Sequence, residues 1–470
     1  FAALAYDATN VLIQAIEEAG SSEGAAVQAL RRLFPNMPVY GGLAQEEREA
    51  MLCARTPALE ALAVELSEVA DGRRELDAAY AAAAAALSAD ETGKQALLGV
   101  TRGLGDPPAK RMTGTLARAL YGRPVSSVSR LETFAQCPYQ HFVRYGLAPQ
   151  REQQPGVDAA ELGTLYHEAA ERFTEAVTAL PEFPEVPQAV CDRLMDEAVS
   201  PLIDAWRESP MGESKRGEAV ARRIRRTAKR TARNILSQYA DSSFRPLRME
   251  FVFGQNGLSP IVLELSDGTF VYLQGRIDRV DVMTGGGLRV IDYKSGARKF
   301  DPTLVYWGLQ LQLLLYLAAA LSRVPGSHAA GFFYCRIADP TVKTESRIRE
   351  EVEKQIAKKL SLQGISLSDV AILRAQGGNI ASMVTKDGKP NGRYAASMVD
   401  EAGMEKLLDF GKRKAAELAG EIYRGEMDDS PVERGAFNAC QNCEYSAICA
   451  FDPMRKPRRR LAAKKLDDLL

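Results

Sequence analysis

Three residues in one short stretch have the types and spacing for phosphodiester chemistry: Asp278, Asp292 and Lys294, in GRIDRVDVMTGGGLRVIDYKSG. Residues 271–282 alternate polar and apolar side chains, Gly285, Gly286 and Gly287 interrupt them, and residues 288–293 are mostly apolar. This pattern predicts two strands joined by a glycine turn. Such a ribbon brings the two aspartates together, and strand alternation turns Asp292 and Lys294 to one side. Paired carboxylates suit Mg²⁺ or Mn²⁺. An ion of that kind activates water and offsets charge on a scissile phosphate, while a lysine orients the water or steadies the transition state. D-x-K alone is common, and in isolation it reads equally as a turn with ordinary ion pairs. Arg276 shares the face of Asp278 and Arg279 points to the other; either holds phosphate or pairs with an acid.

Other elements must complete the site. His167 lies in ELGTLYHEAAERF, on a helix predicted over 159–177, with Gly163 one turn earlier to let that helix lie close. Gln312 and Tyr316 are one turn apart on a helix predicted over 304–321. Leucines flank them, so a polar pair there needs a partner, which substrate phosphate or a positioned water supplies; a buried hydrogen-bond network is the plain alternative. Glu250 sits inside a strand predicted over 247–253. Cys440, Cys443 and Cys449 form C-x2-C-x5-C, one ligand short of a tetrahedral set, and Cys137 is the candidate fourth. Spacing alone leaves zinc and iron-sulfur both open. Cys53, Cys191 and Cys335 read as core residues.

Asp278 in GRIDRVD, Asp292 and Lys294 in DYKSG, His167 upstream and Gln312 with Tyr316 in QLLLY resemble, in order, the motifs of the RecB-family nuclease domain of the PD-(D/E)xK superfamily. The likeness is strongest over residues 126–453. It implies an α/β fold: a restriction-endonuclease-like mixed sheet core flanked by helices, with an all-helical N-terminal leader. It implies a divalent metal, Mg²⁺ or Mn²⁺, on His167, Asp278 and Asp292, with the Tyr293 carbonyl as a further ligand. Lys294, Gln312 and Tyr316 then assist catalysis. It also implies a [4Fe-4S] cluster on Cys137, Cys440, Cys443 and Cys449 that staples the start of the domain to its end. The implied activity is DNA exonuclease action at double-strand breaks within a helicase-nuclease complex, on the 5′-ended strand, together with a large AddA-like ATPase-helicase partner in the bacterial cytoplasm and nucleoid. A stand-alone nuclease of the same superfamily and an inactive DNA-end-binding scaffold are the rival readings.

The 470 residues carry a formal net charge of −1 and 26% charged side chains, so any DNA-binding surface must be local. No apolar run spans a membrane, and no secretory leader is legible. No G-x-x-x-x-G-K-[ST] motif occurs, so no ATP site is expected in this stretch. The start at Phe1 suggests a piece of a longer protein. Three parts are expected: a helical leader over 1–125, the nuclease domain over 126–454, and a basic tail over 455–470. In the leader, helices are predicted over 1–18, 26–34, 46–70 and 74–87. Ser129 is the expected cap of the helix before Cys137. Two helical pieces split by Pro201 and Pro210 fill residues 186–240. The second is densely basic from Lys215 to Arg233, with only Glu218 opposing it locally, and its Arg222 and Arg226 are candidates to follow a DNA backbone. Residues 340–400 read as a polar insertion containing a short hairpin.

Overall fold

The computed structural model describes residues 55–70, 75–102, 111–149, 159–208, 214–255, 258–343, 348–435, 437–449, 451–453 and 456–470. The helices expected over 1–18 and 26–34, and the start of the one over 46–70, lie outside these residues. The chain divides into two compact units, one of residues 1–109 with 452–457, the other of residues 110–451 with 458–470.

In the first unit, helices α1 (Arg55–Ala70), α2 (Ala78–Leu87) and α3 (Glu91–Arg102) are described. Ala58, Ala61, Leu62, Tyr80, Ala83 and Leu87 form their core. The alanine-rich helix was expected from residue 74. It starts at Ala78 because the Asp77 side chain accepts the Ala79 N–H and caps it there.

The second unit is built on an eight-stranded mixed sheet. Its elements are α4 (Gly114–Tyr121), β1 (Val125–Ser127), α5 (Val128–Gln136), α6 (Pro138–His141), α7 (Ala159–Thr178), α8 (Gln188–Arg207), α9 (Lys215–Ala240), β2 (Phe244–Phe253), β3 (Ile261–Glu264), β4 (Phe270–Met283), β5 (Gly287–Lys294), α10 (Pro302–Tyr306), α11 (Gln312–Arg323), β6 (His328–Arg336), α12 (Arg349–Leu360), β7 (Gln363–Leu367), α13 (Val370–Gln376), β8 (Met398–Val399), α14 (Glu401–Arg424), β9 (Val432–Arg434), β10 (Phe437–Asn438) and β11 (Arg459–Arg460). The order β1-β4-β5-β6-β7-β8 forms the main path, with β2 and β3 also paired to β4. β5 and β6 run parallel, while β4 and β5 form the expected antiparallel hairpin. Gly285 and Gly286 take φ values of 98° and 89° in its turn, a region that disfavours side chains.

Helices cover both faces, which explains why β5 reads as a nearly unbroken apolar run. On one face Val280, Val290 and Phe332 join Leu131 and Phe134 of α5, Leu313, Leu314 and Leu317 of α11, and Leu407 and Leu418 of α14. On the other, Ile291, Tyr293, Phe333 and Cys335 meet Ala170 and Phe173 of α7, Met195 and Val199 of α8, and Ala232 and Ile235 of α9. Each fully buried leucine or phenylalanine contributes about 1.5–3 kcal/mol before entropy is charged against it.

Several local expectations are corrected. Ser127, not Ser129, caps α5 by accepting the Arg130 N–H. Pro201 does not split α8; it sits on the exposed side, where a carbonyl left without its amide faces water. The helix expected over 304–321 is two, α10 and α11, broken where Gly308 takes φ 79°. Residues 340–400 are not wholly an insertion, since β7 and β8 extend the main sheet; the short hairpin survives as a turn closed by Thr385 N–H to Lys389 O, 2.7 Å. Residues 458–470 are no free tail. Here β11 pairs with β9, Arg459 donates to Ala135 O at 2.8 Å, and Trp307 donates to Ala462 O at 3.1 Å.

Candidate active site

The β4–β5 ladder pairs Val282 with Leu288 and ends at Arg279 with Ile291. The strands diverge from there, one residue before Asp278 and Asp292. Asp278 fills the gap: its Oδ2 accepts the Tyr293 backbone N–H at 2.6 Å. Helix α7 brings His167 to the same place. The His167 Nε2 lies 3.1 Å from the Tyr293 carbonyl oxygen and its Nδ1 lies 3.3 Å from Asp278 Oδ1. Both ring nitrogens thus face oxygen acceptors, an arrangement that suits the doubly protonated ring. Burial opposes that charge, but the hydrogen bond and charge of Asp278, with Asp292 behind it, outweigh burial and raise the His167 pKa. A Cβ on Gly163 would meet nothing within 4 Å among the described residues, so that glycine does not explain the approach of α7.

Asp292 is fully buried, and neither carboxylate oxygen accepts a hydrogen bond of ordinary geometry. Lys294 Nζ approaches Oδ2 as an ion pair at 2.6 Å, as strand alternation required. Burial, reinforced by the charge of Asp278, pushes Asp292 up to about 7 against the pull of Lys294. A buried carboxylate with an open oxygen is costly unless a cation meets it.

Glu250 is the acid that sequence reasoning ranked too low. It takes φ 47° on β2, where Met249 pairs with Arg279 and Phe251 with Ile277, so it lies level with Asp278. Ligand atoms of His167, Glu250 and Asp278 lie within 4.8 Å of one another, the one such group among the described residues. Burial raises the Glu250 pKa, with Arg276 opposing through a 2.9 Å hydrogen bond. The available signal was a glutamate inside a strand next to GRIDRVD. Two carboxylates, an imidazole and the open oxygens of Asp292 are a hard, oxygen-rich donor set, and they fit a divalent cation.

Gln312 Nε2 donates to Tyr316 Oη at 3.0 Å, so the expected pair is joined. Burial, the neighbouring acids Asp292 and Asp278 included, raises the Tyr316 pKa and keeps the phenol protonated. Gly275 begins the GRIDRVD motif where a Cβ would lie 2.8 Å from the Phe253 ring, and that ring packs edge-on against Tyr316 at 5.9 Å.

The arginines separate sharply. Arg276 is exposed and bound to Glu250. Arg279, expected at DNA, is fully buried and must be reassigned: it donates to Gln238 at 2.7 Å and to Tyr293 Oη at 3.2 Å, and pairs with Asp281 at 3.2 Å. Arg289 holds the same Asp281 at 2.8 Å. On α9, acids distant in sequence neutralise much of the basic run. Arg226 meets Asp339 at 2.5 Å, Lys229 meets Asp196 at 2.5 Å, Arg230 binds Glu353 and Arg233 binds Asp192. Arg222 keeps only a loose 3.8 Å approach to Glu218.

The four candidate cluster cysteines are brought to one region. Cys137 is buried, and Cys440, Cys443 and Cys449 are partly buried. Two residues past Cys137, Tyr139 donates its N–H to Asp428 O at 3.1 Å and its hydroxyl to Ile448 O at 3.4 Å, bridging 309 residues of sequence. Burial pushes the Cys137 thiol up to about 11, and the charges of Cys449 and Cys443 act in the same direction. Four thiols converging from both ends of the unit are a chemically suitable donor set for a cysteine-ligated cluster.

The model of the PD-(D/E)XK nuclease superfamily matches residues 125–450. Among curated proteins, the B subunit of the ATP-dependent helicase/deoxyribonuclease of Alkaliphilus metalliredigens is 35% identical over 72% of this chain and 31% of its own length. The proteins of the same name from Clostridium tetani (31% identical, 94% of this chain, 40% of its own length) and Moorella thermoacetica (35%, 72% and 31%) are similar too. The chain thus spans between 31% and 40% of the length of these relatives. No described helix is long and apolar enough to cross a membrane. The motif residues converge on one broken edge of the β4–β5 ladder, inside the matched span, and the chain belongs to the PD-(D/E)XK nuclease superfamily.

Proposed function

We propose that this chain is the nuclease portion of the B subunit of an ATP-dependent helicase/deoxyribonuclease and hydrolyses DNA phosphodiesters in a Mg²⁺- or Mn²⁺-dependent reaction. The observation that carries the reading is the Asp292 carboxylate, buried with an open oxygen beside Asp278, His167 and Glu250, and paired to Lys294. Asp278, Asp292, Glu250 and His167 would hold the cation, with the Tyr293 carbonyl adjoining them. Once bound, the cation supplies charge neutralisation at the scissile phosphate and a more acidic water. Lys294 orients the attacking water and offsets charge on the phosphorane-like transition state. Gln312 and Tyr316 act as neutral donors that fix the substrate phosphate. Arg276 and Arg222 guide the DNA backbone.

Residues 126–454 form the nuclease domain in this reading, and residues 1–125 lead into it from a helicase-like part. Cys137, Cys440, Cys443 and Cys449 hold a [4Fe-4S] cluster as a structural staple. The relatives' name supports action on DNA ends with a large ATPase-helicase partner, in bacterial DNA repair. Degradation of the 5′-ended strand in the cytoplasm, at the nucleoid, completes the proposal. The test is cleavage of end-labelled DNA with Mg²⁺ by the wild type, Asp292→Ala and Lys294→Ala. Loss of cleavage in both variants, with unfolding midpoints preserved, is expected; full cleavage by either defeats the assignment.

A further inference from the structure

We propose that Glu132 is a positioning residue of the nuclease centre, which it serves by capping the helix that presents Gln312 and Tyr316. This deepens the nuclease reading and rests on it.

The break between α10 and α11 leaves the first amides of α11 without carbonyls of their own helix, and Leu311 offers no side-chain cap. Glu132, 179 residues earlier on α5, supplies the missing acceptor. Its Oε1 takes the Leu311 N–H at 2.8 Å and the Gln312 N–H at 3.1 Å. The start of α11 is therefore fixed from another helix. Gln312 is the residue gripped, and its side chain holds Tyr316. Beside it Gln310 closes the loop after β5, accepting the Asp301 N–H and donating to Lys299 O, each at 2.8 Å.

Helix α5 is anchored at its far end. It terminates at Cys137, Arg459 holds the Ala135 carbonyl, and Tyr139 bonds Asp428. Glu132 thus lies on a strut between the cysteine region and the Gln–Tyr pair. It is also an anion behind Lys294: burial raises its pKa, while the charges of Arg298 and Lys294 pull it down. An ordinary cap would matter for stability alone. A carboxylate gripping the backbone of a substrate-binding glutamine, in electrostatic reach of the catalytic lysine, must matter for the turnover step.

The test uses the full chain with an end-labelled DNA oligonucleotide and Mg²⁺. We compare kcat, KM and unfolding midpoint for wild type, Glu132→Ala, Glu132→Gln, Gln312→Ala and the Glu132→Ala/Gln312→Ala double variant. Glu132→Ala is expected to lower kcat about 10- to 100-fold, the range for residues that orient a reacting group through another, with KM within about 3-fold. Glu132→Gln, whose amide oxygen still accepts both N–H groups, recovers most of kcat. In the Gln312→Ala background the second substitution costs less than about 3-fold, because two residues acting through one contact are not additive. If Glu132→Ala does not fold, Glu132→Asp, which withdraws the carboxylate by one methylene, replaces it with the same expectation. An active wild type with Glu132→Ala within about 2-fold in kcat, or with fully additive losses, overturns this proposal alone. A wild type without metal-dependent cleavage overturns the nuclease reading and this proposal together.

Discussion

Asp278 accepts the backbone N–H of Tyr293 at 2.6 Å, where the ladder between their strands has already ended. A side chain here takes the place of a missing main-chain acceptor. The bond sets the spacing between Asp278 and the neighbouring Asp292, and it turns the Tyr293 carbonyl toward His167. One short contact thus fixes three candidate ligands relative to one another.

Metal affinity should rise with pH. Burial and Asp278 hold Asp292 at about 7, well above the ordinary aspartate value of about 3.9, and His167 also lies above its ordinary range. Both must release protons to bind a cation, so protons compete below about pH 7. The apparent Mn²⁺ dissociation constant, measured by titration, should fall at least about tenfold from pH 6 to pH 8. A pH-independent constant would contradict this.

The same shift has a stability sign. A carboxyl group whose folded pKa is raised favours the folded state below its unfolded pKa of about 3.9, and that contribution is lost as pH rises to about 7. In metal-free buffer at pH 8, Asp292→Asn should therefore unfold a few degrees above the wild type while lacking activity. A lower midpoint for the variant would show that Lys294 already compensates the buried charge.

Glu250 should matter for the cation more than for the fold. Glu250→Gln is expected to raise the Mg²⁺ concentration for half-maximal cleavage about 10- to 100-fold, with the unfolding midpoint little changed. An unchanged Mg²⁺ requirement would remove Glu250 from the ligand set.

The buried charges of the opposite face are structural. Asp281 stands between Arg279 and Arg289, all three fully buried, and accepts Tyr239 Oη at 2.8 Å. Asp281→Ala leaves two buried guanidinium groups without their counter-ion, which should cost about 3–5 kcal/mol in urea unfolding. A loss below about 1 kcal/mol would mean that solvent reaches them.

Cys137→Ser should abolish the broad visible absorbance expected of purified protein with a [4Fe-4S] cluster and lower the unfolding midpoint. Colourless wild-type protein containing zinc would replace the cluster with a single-ion site.

Much of the site was legible because its signals are local. Alternation alone put Asp292 beside Lys294, and helical spacing alone joined Gln312 to Tyr316. The misreadings concern partners that only the fold supplies. Arg279 has the composition of a phosphate ligand, yet Asp281, two positions along the same strand, turns it into the core. The arginines of α9 read as an open track because Asp192, Asp196, Asp339 and Glu353 lie far off in sequence. Glu132 gave no signal, since an acid in a helix announces nothing until the broken start of α11 is found against it. Leu304 to Leu321 kept an apolar pattern through a break that only the left-handed turn at Gly308 reveals.

The central claim is that Asp278, Asp292, His167 and Glu250 gather around one divalent ion. An anomalous difference map from crystals soaked in Mn²⁺ tests it most directly. The account predicts a single strong peak within ligand distance of Asp278 and of the open oxygen of Asp292, absent in Asp292→Ala. A peak elsewhere, or none at these carboxylates at saturating Mn²⁺ and pH 8, would contradict it.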